Sequence, residues 1–147
     1  MVAYSKGMSP GTQAPPFALP GVDGTTYTLD SFREARLLVV VFTCNHCPYA
    51  IAVEDRLIAL QRDYAARGVR VCAINSNDAR AYPDDSLPKM IERAAAKGFN
   101  VPYLHLSEMA FYEDAKKPDY LSRRSPSTPS GVTLLRFSRQ IRLDRAR

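Results

Sequence analysis

From Leu37 to Phe42 large and β-branched apolar residues follow one another without polar alternation, the pattern of a central strand covered on both faces. Val69 to Ile74, apolar except for Arg70, predicts a second buried strand. Between them the period changes. Val53, Leu57, Leu60 and Tyr64 recur at helical spacing with Arg56, Gln61, Arg62 and Asp63 interposed, and Gly68 supplies a stop, so an amphipathic helix is expected after Cys47. A second helix is expected from about Leu87 to Lys97, capped by Ser86 and closed by Gly98; Pro88 is tolerated because first-turn amides lack intrahelical partners. Pro16 to Pro20 and Thr25 to Leu29 read as strands of a hairpin turned at Gly21-Val22-Asp23-Gly24. Val101 to Leu106 predicts a short strand that Pro102 confines to an edge or a strand start, and Asn75 to Asp85 reads as a polar loop. Farther on, Glu108 to Ala115 suggests a short helix, and Val132 to Phe137 with Gln140 to Leu143 a closing hairpin. Strand, helix, strand, helix is the order that builds a parallel sheet.

The first buried strand runs into Thr43-Cys44-Asn45-His46-Cys47-Pro48. Two cysteines separated by two residues, at the passage from a buried strand to a helix, satisfy what disulfide exchange requires: one thiol faces outward and the second can reach it. In the first turn of the helix Cys44 would meet unpaired backbone amides and the positive end of the helix dipole, so its pKa is expected to fall below about 8.5. His46 adds a donor beside the same sulfur, which would stabilise the reduced form and set a reduction potential between about −270 and −120 mV. Cys47, expected to be the more buried, would resolve the mixed disulfide formed at Cys44. Zinc is the lesser reading of the pair. A closed site normally takes four ligands, and the remaining donors are Cys72 within a strand, His46 inside the pair and distant His105. No metal or other cofactor is therefore expected. Cys72 reads as a small core residue, and His105 as a strand residue without function.

Composition narrows the setting. A chain of 147 residues with 46% hydrophobic and 24% charged residues is expected to form one domain over 1–147, with its core at 11–106 and a less legible segment at 107–147. Three cysteines are too few for a secreted disulfide scaffold. Met1 to Pro20 holds one lysine, several prolines and no apolar run of signal-peptide length, and no run approaches a membrane span, so a cytoplasmic protein is expected. The net charge of +5 is local: Leu121 to Arg147 carries seven arginines and one aspartate, a net +6, which leaves Met1 to Tyr120 at −1. A basic end with a single phenylalanine lacks the aromatic interleaving of a base-stacking surface, and neither nucleic acid nor membrane is expected as a partner.

Taken together, Gly11 to Pro20 with Asp23-Gly24, Val41 to Tyr49 around the dithiol, and Val71 to Asp78 resemble the thioredoxin-like redoxin group, which includes alkyl hydroperoxide reductase/thiol-specific antioxidant proteins and bacterial thiol-disulfide reductases. The resemblance covers roughly Gly11 to Leu104. It implies an α/β fold: a thioredoxin-like central mixed sheet flanked by helices, extended by the N-terminal hairpin. It also implies a cis-proline facing the dithiol, for which Thr128-Pro129 is the best match and Pro126 the second. Thr128, Pro129, Asn45 and Pro48 are then the candidate substrate contacts beside catalytic Cys44, His46 and Cys47. Such proteins usually continue past the last hairpin into a further helix, whereas this chain stops at Arg147, so an incomplete C-terminus is expected.

The implied activity is exchange between this dithiol and protein or small-molecule disulfides, with a thiol as reductant and a role in redox homeostasis as an antioxidant. Two rivals remain. Peroxiredoxins carry threonine or serine three positions before a Cys-Pro, which would make Cys47 the peroxidatic residue with Cys44 at the threonine position; the earlier proline of that motif falls at Val40. Alternatively the fold serves as a redox-inactive binding module.

Overall fold

The computed structural model describes residue 14, residues 16–106 and the strand at 132–136. In chain order the elements are β1 (Ala18–Pro20), β2 (Thr26–Thr28), β3 (Leu37–Thr43), α1 (Pro48–Tyr64), β4 (Val69–Asn75), α2 (Leu87–Lys97), β5 (Tyr103–His105) and β6 (Val132–Arg136), with short 3-10 turns at Leu29–Phe32, Ala65–Arg67 and Pro83–Asp85. β5, β4, β3 and β6 form one sheet in that order. β3 pairs in parallel with β4 and β4 with β5, while β6 runs antiparallel to β3. The strand and helix order predicted the parallel part, and the whole is the thioredoxin-like mixed sheet that the family resemblance implied.

Alternation along β3 and β4 divides the core. Val39, Val41, Val71 and Ala73 face Met90, Ala94, Val101 and Tyr103, with Leu57 and Leu60 of α1 packed against them. Leu38, Val40, Cys72 and Ile74 face the opposite way, toward Leu19, Phe32 and Leu104. The two helices therefore cover one face, and the β1–β2 hairpin with its following turn covers the other. That hairpin turns at Asp23-Gly24, where Asp23 Oδ1 accepts the Thr25 amide at 3.0 Å, the Tyr27 hydroxyl donates to Oδ2 at 2.7 Å, and Gly24 takes a φ of 79°. It docks on the edge strand β5, where the Val22 amide donates to the Tyr103 carbonyl at 2.9 Å. Pro102 precedes β5, in keeping with its expected position at an edge.

The helices fall where the pattern puts them, but α1 is rotated from expectation. Its buried residues are Ala50, Glu54 and Gln61, with Leu57 and Leu60 half-buried, while Val53 and Tyr64 are exposed. Polar residues occupy this buried face because each has a partner there. Arg93 of α2 donates to Glu54 through Nε at 2.6 Å and through a terminal nitrogen at 2.7 Å. Gln61 Oε1 accepts the amide of Val71 in β4 at 2.7 Å. Gly68 ends the turn after α1 with a φ of 80°, and Gly98 closes α2 at 65°. Ser86 is the N-cap of α2, although its side chain makes no capping hydrogen bond. The expected helix at 108–115, the return strand at 140–143 and the Thr128-Pro129 and Pro126 positions lie outside the described residues.

Candidate functional site

The C-terminal ends of the parallel strands converge: Thr43 is in register with Asn75, and Asn75 with His105. Ligand sites of open α/β sheets gather at this edge. Here β3 gives way to Cys44-Asn45-His46, Cys47 becomes the N-cap of α1 and Pro48 its first residue. Cys44, Cys47 and Cys72 are free thiols.

This geometry changes the expected roles of the two cysteines. Cys44 does not lie in the first helical turn; it precedes the N-cap and is only 6% exposed, whereas Cys47 is half-buried. The expected order of burial is thus reversed. Burial pushes the Cys44 thiol up, the backbone amides of Cys47 and His46 oppose it, and the Asp85 carboxylate reinforces it, with a net rise in place of the expected fall. Cys72 has no access to solvent, and burial pushes its thiol up to about 12, which suits the core residue expected from sequence.

Asp85, in a stretch read only as a polar loop, organises the site. Its side chain is wholly buried. Oδ1 accepts the Asn45 amide at 2.6 Å and the Asn75 side chain at 3.0 Å; Oδ2 pairs with His46 Nδ1 at 2.5 Å and accepts from Asn77 Nδ2 at 2.9 Å. Burial raises this carboxyl, but the hydrogen bonds from Asn77, Asn45, Asn75 and His46 outweigh it and hold the group below the ordinary carboxylate range. An ionised carboxylate only accepts, so His46 Nδ1 carries the proton. The imidazole is also stacked on Tyr82, with ring centroids 4.3 Å apart and planes 4° from parallel.

Asn45 is held from three sides. Besides its amide on Asp85, Nδ2 donates to the Asp84 carbonyl at 2.7 Å and Oδ1 accepts the Tyr103 hydroxyl at 2.9 Å. Asn45 is thereby a buried brace of the loop, whereas Pro48 is exposed beside it. His105, on β5 beside Asn75, has a lowered pKa through burial, and its Nε2 has no hydrogen-bond partner among the described residues.

Cys44 Sγ, a His46 ring nitrogen and an Asp85 oxygen lie within 4.8 Å of one another. These are three donors, one short of a closed zinc site, and both Asp85 oxygens already accept two hydrogen bonds each. The cluster is better suited to moving a proton than to holding a metal. Nothing in the sequence singled out Asp85 from Asp84 beside it. Asn75 and Asn77 at the end of a buried strand were the visible trace, since amides placed there need polar partners.

A Cys-x-x-Cys at the end of a central parallel strand, in a sheet closed by an antiparallel strand, defines a thioredoxin-like protein. The Redoxin family model matches residues 9–128, and the chain belongs to that family. Redox activity of the thiol-disulfide type is the general chemistry that goes with this membership. Among solved structures, a hypothetical protein from Sinorhizobium meliloti is 29% identical with a TM-score of 0.75, the match covering 90% of this chain and 68% of that one. An uncharacterized conserved protein from Geobacillus kaustophilus is 34% identical at a TM-score of 0.72, covering 86% and 63%. This chain thus spans about two thirds of their lengths. A thioredoxin family thiol:disulfide interchange protein from Chlorobium tepidum, 21% identical with a TM-score of 0.58 over 72% of this chain and 68% of that one, shares the fold. No curated protein matches the sequence.

Proposed function

We propose that the protein is a thiol-disulfide oxidoreductase in which Cys44 attacks a disulfide and Cys47 resolves the product. The observation that carries this reading is the surroundings of Cys44: two backbone amides, the His46 ring and the Asp85 carboxylate converge on that one sulfur, three residues from a second free thiol. Attack forms a mixed disulfide at Cys44; Cys47 then displaces the partner sulfur and leaves a Cys44–Cys47 disulfide for a thiol reductant to reopen. The substrates are protein or small-molecule disulfides, in a role in redox homeostasis. Tyr49, 85% exposed two residues after Cys47, and Tyr82 over His46 offer apolar surface beside the pair. Mass spectrometry of Cys47→Ser treated with a cystine peptide tests the order: the account expects an adduct that accumulates on Cys44. An adduct that forms on Cys47 in Cys44→Ser, and not on Cys44 in Cys47→Ser, would reverse the roles.

One observation favours a second reading. Cys47 is the more exposed thiol and stands at a helix N-cap ahead of a proline, a setting suited to a peroxidatic cysteine. Peroxide would then oxidise Cys47 to a sulfenic acid, and Cys44 would condense with it, releasing water. Peroxide consumption that needs Cys47 and survives Cys44→Ser with added thiol would select this chemistry.

A further inference from the structure

We propose that Asp85 is a positioning residue for the dithiol: it holds the Nδ1–H of His46, so that Nε2 is the nitrogen left to take the Cys44 proton as that sulfur attacks a disulfide. The inference rests on the reading of Cys44 as the attacking thiol. Two independent contacts fix the ring, the 2.5 Å hydrogen bond to Asp85 and the parallel stack on Tyr82. Oδ1 serves the loop through Asn45 and Asn75, whereas Oδ2 takes the ring as its shorter contact, at 2.5 Å, beside Asn77 Nδ2 at 2.9 Å. Cys44 also needs such help, because a buried thiol with a carboxylate nearby is mostly protonated at neutral pH.

The step balances as follows. The Cys44 proton passes to His46 Nε2 while the sulfur electron pair forms a bond to one sulfur of R–S–S–R′. The substrate S–S bond breaks, and R′S⁻ leaves with the bonding pair and takes the proton from His46 as R′SH. Cys47 then attacks Cys44 Sγ, its own proton goes to the departing RS⁻, and the dithiol has lost the two electrons that the substrate gained. The titratable groups facing this cluster are Cys47, Tyr82 stacked on the ring, Tyr103 and His105. Burial holds Tyr103 above its ordinary range and His105 below, which keeps both uncharged through neutral and mildly alkaline pH.

The test is the single-turnover rate of reduced Cys47→Ser protein with an aromatic disulfide, followed from neutral to alkaline pH, with Asp85→Asn and His46→Asn added singly and together. An asparagine amide at 85 would donate to Nδ1 and transfer the ring proton to Nε2. Each single change is expected to slow the neutral-pH reaction on the order of 100-fold. The deficit closes in alkali, where Cys44 ionises unaided, and the combined variant is no slower than either alone. An Asp85→Asn rate that rises at neutral pH would show that the carboxylate merely repels the thiolate and would overturn the proposal. So would a deficit equal at every pH, which marks a structural role. Should Asp85→Asn not fold, the nitrogen-15 shifts of His46 in the unaltered protein decide: a proton on Nδ1 supports the relay, and one confined to Nε2 contradicts it. Failure of the oxidoreductase reading has another signature, a protein that leaves protein disulfides intact while the pH split at Cys44 persists.

Discussion

Asp85 Oδ2 lies 2.5 Å from His46 Nδ1 while Oδ1 accepts the Asn45 amide at 2.6 Å, so one buried carboxylate fixes both residues between the two cysteines. The x-x of this Cys-x-x-Cys is therefore set by the loop before α2, far away in sequence.

The thiolate of Cys44 forms late. Burial, which favours the neutral thiol, dominates the two amides that favour the anion. In Cys47→Ser, ultraviolet absorbance of the thiolate is expected to be still increasing at pH 9.0, the ordinary thiol value. Complete ionisation near neutrality would contradict the geometry.

The reduction potential follows the same balance. A dithiol whose thiolate is not favoured gains little stabilisation in its reduced form, so equilibration with glutathione buffers should place the protein toward the low end of the sequence-based window, near about −270 mV. A strongly oxidising value near −120 mV would require thiolate stabilisation that these contacts do not provide.

Stability should depend on Asp85 in acid. Its folded pKa lies below the ordinary 3.8, so its contribution is present above that value and is lost as pH falls through the folded pKa. The melting temperature of the parent should decline across that acid range, and that of Asp85→Asn, lower at neutral pH, should decline less. Parallel curves would mean that the carboxylate does not couple to folding.

Glu54 and Arg93 join the two helices that cover one sheet face. Glu54 is 4% exposed at its side chain and Arg93 25%, so removal of the acid strands a partly solvated guanidinium. Glu54→Ala should cost about 2 kcal/mol in denaturant unfolding, less than a fully buried pair would lose. A cost below about 0.5 kcal/mol would mark the pair as an ordinary surface contact.

Much of the fold is legible because its signals are local. The apolar runs from Leu37 and, past Arg70, from Val71, the glycines at 68 and 98, and Asp23-Gly24 each act within a few residues, and strands, helices and the hairpin turn fall where those residues stand. The face of α1 is not legible in the sequence for the opposite reason. Glu54 and Gln61 look like solvent residues until Arg93 and the Val71 amide, contributed by other elements, make their burial possible. The site shows the same division. Cys44, His46 and Cys47 are visible as a motif, but the burial of Cys44 depends on packing, and Asp85 reaches the motif only through tertiary structure.

The most direct test of the central claim is the rate at which the purified protein reduces insulin disulfides with a small thiol as reductant, compared with Cys44→Ser and Cys47→Ser and with hydrogen peroxide consumption measured alongside. The account predicts insulin reduction that disappears in Cys44→Ser and stalls as a mixed disulfide in Cys47→Ser. Peroxide consumption that persists without Cys44, or an unaltered protein inactive toward both substrates, would contradict it.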